Sequence, residues 1–350
     1  MTIPNRLAAV AGLTALALVS TAGGTAVSAA AAPAPAAPKY KYYVALGDNY
    51  TAAPLVPPLD LANLACLRSG GNYPALLVQK LKVPKSTDVS CGGADTTHVE
   101  ASQTTPAGFL PAQLDAVSKQ ADLVTIGFGA NDFGVLASLL TVCPKLRKSD
   151  PDGAPCKKKF TTGGKDQLKQ NVAKTKGRLT AVVKAVKGKA APKATIVLVG
   201  YPTLAPPKTT CAELPLAKGD YAYLTEILSE LNKAIQAAAK AGQAKYVDVF
   251  KASVGHDVCA KAKAWIQGKE PDLLKAAAFH PKAEEQAAVA DLIVKTVSGR
   301  DATITSAEQE AWLAGVEARQ QQSAAILATP DARNRVTDRL RQGGLFPSGG

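Results

Sequence analysis

The chain has few of the side chains that hold transition metals. Its 350 residues include three histidines, and none of its six cysteines stands in a Cys-x-x-Cys pair. Such pairs are typical of structural zinc sites. The even number of cysteines therefore favours three disulfides over a metal site. The spacing alone does not select a pairing among Cys66, Cys91, Cys143, Cys156, Cys211 and Cys259.

Long apolar runs are absent beyond the first 30 residues, so no later segment is expected to cross a membrane. The early run, residues 7–19, follows the single charge of Arg6 and leads to small residues that end at Ala29. This pattern is typical of a secretory signal peptide, residues 1–29, and it lacks the period of a buried amphipathic helix. Residues 30–39, rich in Ala and Pro, predict a semi-extended linker. We expect a soluble, secreted mature protein.

Acidic residues are fewer than basic ones, 28 against 41, which gives the chain a net charge of +13. Aromatic residues make up only 5% of it. Export, together with so few aromatic side chains, argues against nucleic acid as a partner. A basic exported protein can meet anionic cell-envelope polymers or phospholipid surfaces. The simpler alternative is that the lysines keep an Ala-rich surface soluble.

Five short apolar segments predict β-strands, at residues 42–46, 88–91, 123–128, 195–200 and 246–250. Helical patterns lie between them, at residues 73–81, 166–186 and 220–239. Apolar strands that alternate with helices predict a parallel sheet covered on both faces. The expected fold class is α/β, a three-layer α/β/α sandwich over residues 40–299 with a five-stranded parallel sheet. In such sheets the active site lies outside the carboxyl ends of the strands.

The pattern changes after residue 300. Residues 303–327 and 331–340 predict two helices separated by Pro330, which form a C-terminal helical extension over residues 300–342. We expect residues 343–350 to be disordered. The extension is expected to dock through an apolar stripe of Trp312, Leu313, Val316, Ile326 and Leu327. The sequence assigns it no function.

Four short motifs come after predicted strands or open a predicted helix. They are Gly47-Asp48-Asn49, Ser90-Cys91-Gly92-Gly93-Ala94, Gly127-Phe128-Gly129-Ala130-Asn131-Asp132 and Phe279-His280-Pro281-Lys282. A strand–turn–helix segment raises a side chain to the rim of an α/β sheet, where it can attack a substrate. Taken singly, a glycine pair also suits any tight turn, and Asn-Asp also caps helices. Their order and spacing together favour a catalytic site.

These motifs resemble the sequence blocks of the SGNH (GDSL) hydrolases. The first block of that family is commonly Gly-Asp-Ser-Tyr-Ser-Ala, so Asn49 stands where the nucleophilic serine is expected. The resemblance implies that the backbone N–H of Gly93 and the side chain of Asn131 form an oxyanion hole, with His280 as general base. The usual acid three residues before the histidine is replaced by Ala277. In secreted members with a Ser-His dyad a backbone carbonyl at this position orients the imidazole, which implies that role for Ala277.

The resemblance is strongest to the secreted, disulfide-bearing esterases and lipases of this family and covers residues 39–298. It implies disulfides in sequence order: Cys66–Cys91, Cys143–Cys156 and Cys211–Cys259. It also implies an ester or lipid substrate, with neither a metal nor a cofactor. Of the other histidines, we expect His98 to be a loop residue and His256 to be structural or part of a substrate loop. We expect a monomer.

Asn49 decides how the site can work. An amide nitrogen is delocalised into its carbonyl and is not a useful nucleophile, and the nearby Thr51 should point away from His280. This leaves three hypotheses: an ester hydrolase whose activity is weak, absent or dependent on another nucleophile; a silent binding protein for acyl or glycan esters or a cell-envelope partner; and an active enzyme present here as a serine-to-asparagine variant.

Overall fold

The centre of the molecule is a five-stranded parallel sheet. The computed structural model describes residues 39–206, 209–299 and 306–342, so the predicted signal peptide, nearly all of the linker and the tail lie outside the described residues. The strands are β1 (Tyr42–Gly47), β2 (Lys85–Asp88), β3 (Leu123–Gly127), β4 (Thr195–Val199) and β5 (Lys245–Val247). Their order is β2-β1-β3-β4-β5, and every neighbouring pair is parallel.

Three strands end within one residue of their predicted bounds, and the other two, β2 and β5, differ by more, for local reasons. β2 was expected at residues 88–91, but the residues paired with β1 are the preceding polar ones, Lys85–Asp88. None of these four residues is buried, so this edge strand produces no apolar pattern. Val89 and Cys91 still donate backbone hydrogen bonds to Ala45 and Gly47 at 3.0 Å, so the extended chain runs on. β5 ends early because the side chain of Asp248 caps a short helix, Val249–Ala252.

Seven helices pack on the sheet, border the site or form the C-terminal extension. They are α1 (Asn49–Ala52), α2 (Tyr73–Leu81), α3 (Gln167–Lys189), α4 (Asp220–Ala241), α5 (Ala283–Ser298), α6 (Ser306–Ala328) and α7 (Pro330–Gln342). The N-terminus of α2 is capped by the side chain of Asn72 and that of α3 by Asp166. Pro330 is the first residue of α7, a position that favours proline, so it starts this helix instead of only ending α6.

Shorter elements fill the connections. The remaining helical turns are Leu61–Cys66, Thr96–Val99, Gln113–Ala116, Asp132–Gly134, Val135–Ala137, Ser138–Val142, Cys143–Leu146, Arg147–Ser149, Pro155–Phe160 and Lys261–Lys263. Two small antiparallel hairpins pair Gln103–Thr105 with Gly108–Leu110, and Thr161–Thr162 with Lys165–Asp166.

The sheet is covered on both faces. Successive residues of β1 point to opposite sides, so that Val44 and Leu46 join the cluster under α3 and α4, whereas Tyr43 and Ala45 join the cluster under α2 and α5. These layers confirm the predicted three-layer α/β/α fold, and the C-terminal helical extension is present as α6 and α7. No helix among the described residues is long and apolar enough to cross a membrane.

The three disulfides pair as the resemblance implied, Cys66–Cys91, Cys143–Cys156 and Cys211–Cys259. The first of them joins the end of the helical turn Leu61–Cys66 to the loop after β2. Next to it, the carbonyl of Cys66 accepts a 2.8 Å hydrogen bond from the backbone N–H of Gly92. The disulfide therefore fixes the position of the glycine pair at the carboxyl edge of the sheet.

The close approach of β3 to α1 gives a stability prediction. A Cβ at Gly127 would overlap Thr51 Oγ1, whereas its distance to Thr51 Cβ is an ordinary 3.7 Å. We expect Gly127→Ala to lower the free energy of unfolding by about 1–3 kcal/mol through overpacking. Because Thr51→Ala removes the overlapping atom, the double variant should recover part of this loss. Urea unfolding of the two single variants and the double variant measures the coupling.

Gly177→Ala is the control for this prediction, because a Cβ at Gly177 in α3 meets no atom within 4 Å. Alanine is the better helix former by about 0.8–1 kcal/mol, so this variant should be more stable than the parent. Strict additivity of the Gly127 and Thr51 substitutions would contradict the packing described here.

Candidate active site

The carboxyl ends of β1 and β3 bring the first and third motifs together. Gly47 ends β1, and Asp48 then caps the short helix α1 by accepting a 2.8 Å hydrogen bond from the backbone N–H of Tyr50. Asp48 also donates its own N–H to the carbonyl of Gly127 at 3.0 Å. Parallel strands end at one edge of the sheet, so Asn49 opens α1 close to the turn after β3.

The side chain of Asn49 lies between those of His280 and Asn131. Its Nδ2 lies 2.6 Å from His280 Nε2, and its Oδ1 accepts a 2.7 Å hydrogen bond from Asn131 Nδ2. Asn131 Nδ2 also donates to the carbonyl of Ala94 at 2.8 Å. Asn49 and His280 are buried. The amide of Asn49 is therefore hydrogen-bonded both to the predicted general base, His280, and to one predicted oxyanion donor, Asn131.

The hydrogen bonds of His280 define its tautomer. Nδ1 lies 2.6 Å from the carbonyl oxygen of Ala278, which can only accept, so Nδ1 carries the hydrogen. Nε2 is then the acceptor for Asn49 Nδ2. Burial lowers the pKa of His280 to about 4, against the smaller opposite effect of the Ala278 carbonyl. The imidazole is thus neutral at physiological pH, as a general base requires.

The carbonyl that faces the imidazole is that of Ala278, and the prediction of Ala277 was wrong in this respect. The carbonyl of Ala277 accepts the backbone N–H of His280 at 3.0 Å instead. The cause is the intervening Phe279, whose φ of 59° turns the chain so that the ring of His280 folds back over the nearer carbonyl. A backbone carbonyl still stands in the place of an acid.

The two predicted oxyanion donors, Gly93 and Asn131, lie in the turns that follow β2 and β3. Gly93 has a φ of 77°, which favours glycine, and its backbone N–H has no acceptor among the described residues. Asn131 does not cap the turn after it, since its side chain makes no capping hydrogen bond. Asp132 instead accepts the N–H and the hydroxyl of Thr96, both at 2.9 Å, and so ties the second motif to the third.

Two tyrosines that the sequence analysis did not single out connect the motifs. Tyr50 donates its hydroxyl to the carbonyl of Phe279 at 2.8 Å, directly before His280. Tyr201 donates to Asp48 Oδ2 at 2.5 Å and accepts the N–H of Ala130 at 3.2 Å. Each tyrosine comes soon after the end of a strand in the sequence, which was the available signal.

Buried carboxyl groups lie around α1. Burial raises the pKa of Asp48 to about 7, although the Tyr201 hydroxyl and nearby backbone N–H groups act in the other direction. Burial likewise raises the pKa of Glu285 on α5 to about 8, and Gln286 Nε2 donates to its carboxyl at 2.6 Å. Both groups therefore titrate near neutral pH, and neither carboxyl is hydrogen-bonded to the side chain of Asn49 or His280.

The remaining candidates have partners other than Asn49, Asn131 and His280. Thr51 Oγ1 is 3.3 Å from the Tyr73 hydroxyl, and the ring nitrogens of His280 are bonded to other groups. His98 Nδ1 accepts the N–H of Asp95 at 3.0 Å in a loop cap, and His256 stacks on Trp265 with centroids 4.3 Å apart. Among the described residues, no group of three or more His, Cys, Asp or Glu could hold a metal ion.

Comparison with known proteins identifies the family to which the chain belongs. Residues 45–288 match the GDSL-like Lipase/Acylhydrolase family. The chain is 39% identical to Lipase 2 of Streptomyces coelicolor over 250 residues, which are 70% of this chain and 82% of that protein. It is 33% identical to an esterase of Streptomyces scabiei, covering 75% and 82% of the two chains.

Solved structures agree on the fold. Phospholipase A1 from Streptomyces albidoflavus NA297 superposes with a TM-score of 0.60 at 25% identity, over 73% of this chain and 99% of the other. The extracellular lipase of Streptomyces rimosus gives a TM-score of 0.58 at 24% identity, over 73% and 99%, and shows the fold alone. The chain belongs to the GDSL-like lipase/acylhydrolase family of ester hydrolases.

Proposed function

We propose that the protein is a secreted carboxylic-ester hydrolase by descent, in which Asn49 occupies the position of the nucleophile and turnover is weak or absent. The observation that carries the proposal is the double contact of the Asn49 amide, 2.6 Å from His280 Nε2 and 2.7 Å from Asn131 Nδ2. Three disulfides and the signal-like residues 1–29 support export.

Asn49 opposes catalysis in two ways. Its nitrogen donates a hydrogen to Nε2 and has no free lone pair with which to attack an ester. Its carbonyl oxygen accepts from Asn131, so a substrate carbonyl would have to displace it before reaching that donor. A water molecule activated by His280 faces the same obstacle, because the lone pair of Nε2 is already engaged.

A serine at position 49 would restore each step of acyl transfer. Its Oγ would attack the ester carbonyl while His280 Nε2 takes the hydroxyl proton. The charge on the tetrahedral oxygen would be stabilised by Asn131 Nδ2 and the N–H of Gly93. His280 would return the proton to the leaving alkoxide, and a water, deprotonated by His280 in turn, would release the acid from the acyl-enzyme. The Ala278 carbonyl would hold the ring throughout.

A silent binding protein for acyl or glycan esters, or for a cell-envelope partner, is the second candidate. It is supported by the two hydrogen bonds with which Asn49 engages both His280 Nε2 and Asn131 Nδ2. Two cations lie near the candidate site, where an anionic surface could bind. The Arg178 guanidinium is 3.9 Å and the Lys174 ammonium 5.6 Å from the ring centre of Phe133, which is partly exposed and follows Asp132. A serine codon in the source gene would instead establish that the asparagine is a variant.

The first test compares the parent with Asn49→Ser on short and medium p-nitrophenyl esters. We expect the substitution to raise kcat/KM on the order of 10³-fold or more, since a nucleophile of this kind can be worth about 10⁶ in turnover. A fluorophosphonate should label only the Asn49→Ser protein, as read by intact-mass spectrometry.

Two matched variants control that comparison. Asn49→Ala removes the amide without supplying a hydroxyl and should stay inactive, and His280→Ala in the Asn49→Ser background should lose most of the gain. Parent activity equal to that of Asn49→Ser would mean that another residue is the nucleophile. Ester binding to the parent without hydrolysis would favour the silent binding protein.

The buried imidazole predicts an unusual pH profile for the Asn49→Ser variant. The base works only when neutral, and burial holds the pKa of His280 at about 4. Activity should therefore stay level as pH falls from about 8 to 5 and drop only near pH 4, whereas an ordinary histidine loses half near about pH 6.5. Stopped assays of kcat/KM at constant ionic strength measure this. A loss of half the activity near about pH 6.5 would contradict the lowered pKa of the buried His280 imidazole.

A further inference from the structure

The C-terminal helices bury a narrow stripe in an otherwise polar sequence. On α7 the buried residues are Ala332, Val336, Arg339 and Leu340, which lie on one face at helical spacing. On α6, Ser323 and Leu327 are buried. Of the expected docking stripe, Leu327 is buried, whereas the side chain of Leu313 lies outside the described part of the chain. On α7, the apolar residues Val336 and Leu340 are buried, which the sequence analysis did not anticipate.

This stripe covers two segments that flank the candidate site. Leu327, Val336 and Leu340 form an apolar cluster with Leu55, Leu67 and Ala277, separate from the clusters on the two sheet faces. Further leucines at its edge are Leu59, Leu61, Leu64, Leu273 and Leu274. We call residues 53–68 the Leu55 segment and residues 272–279 the Ala277 segment. Uncovered, their leucines would form an apolar patch of the kind that soluble proteins rarely expose.

Polar contacts attach the helices to both segments. Arg339 donates from Nη2 and Nε to the carbonyl of Ala65, at 2.7 and 3.2 Å. Ser323 Oγ accepts the backbone N–H of Leu59 at 3.0 Å. Gln320 Nε2 donates to the carbonyl of Leu274 at 3.5 Å.

The two segments lead directly into the site. The Leu55 segment comes directly after α1, which begins with Asn49, and the Ala277 segment ends one residue before His280. The N–H of Ala277 donates to the carbonyl of Pro54 at 3.1 Å, which joins them. Left-handed conformations occur at four non-glycine residues here, Ala53, Leu55, Leu67 and Phe279, with φ between 52° and 72°. Such conformations persist only where the surroundings hold them.

We propose that α6 and α7 are an intramolecular brace, which holds the Leu55 and Ala277 segments together and so fixes the distance between position 49 and His280. The brace lies outside residues 45–288, the part of the chain that matches the family. The loop before His280 is therefore held by residues that the family match does not include. The inference rests on the proposed function only in that position 49 and His280 are the reacting pair.

Hydrogen exchange, measured on the protein with Asn49 in place, tests the brace without requiring enzymatic activity. We expect Leu340→Ala to accelerate exchange on the order of tenfold or more in residues 53–68 and 272–280, with β1 and β3 unchanged. Ser323→Ala, a milder change, should act in the same direction. Asn334→Ala, on the exposed face of α7, is the matched control. Uniform acceleration throughout the sheet, or none in the two segments, would overturn the proposal.

Kinetics in the Asn49→Ser background add a second test. Adding Leu340→Ala should lower kcat on the order of tenfold with little change in KM, because the nucleophile and base are misplaced while the substrate site is kept. Adding Asn334→Ala should change neither. An unchanged kcat together with faster exchange would refute the brace. Should Asn49→Ser itself be inactive, the proposed function fails, and the exchange result still decides the brace.

Discussion

The burial of α1 is the constraint on which the rest of the site depends. This helix has four residues, all buried, and a single turn is not stable alone. Three of its four carbonyls accept hydrogen bonds from other segments: Gln286 Nε2 donates to the carbonyl of Tyr50 at 3.1 Å, Asn72 Nδ2 to that of Thr51 at 3.1 Å, and the N–H of Ser69 to that of Ala52 at 2.9 Å. Each segment that holds α1 is thereby placed relative to position 49.

That burial also sets the charge state around the site. Carboxyl groups taken out of water favour the protonated form, which is why the pKa values of Asp48 and Glu285 rise to about 7 and about 8. The same desolvation keeps His280 neutral, with its pKa at about 4. As the pH rises from about 4 to about 7 for Asp48 and about 8 for Glu285, the unfolded chain ionises these carboxyls before the folded one does, so the fold loses stability over that range. His280 costs the fold stability only in acid, as the pH falls from about 6.5 to about 4.

Sequence reasoning predicted the sheet and its helices from apolar periodicity. The resemblance to the SGNH hydrolases implied that Asn49, Asn131 and His280 meet, and they do. Contacts between residues that are distant in the sequence could not be predicted in this way. Whether Ala277 or Ala278 faces the imidazole depends on one left-handed φ at Phe279. The contribution of a tyrosine such as Tyr50 depends on which distant carbonyl its hydroxyl meets. The bounds of the polar strand β2 were missed because it has no buried face to produce an apolar pattern.

Position 49 shows how a site can keep its geometry and lose its chemistry. The environment there requires a group that donates to His280 Nε2 and accepts from Asn131 Nδ2. A serine hydroxyl does both with one oxygen, and an asparagine amide does both with its nitrogen and its oxygen. Since an unpaired buried polar group costs about 1–3 kcal/mol, an apolar residue would be penalised where asparagine is not. Hydrogen bonding therefore accepts either residue at this position, whereas acyl transfer requires the lone pair that only serine offers.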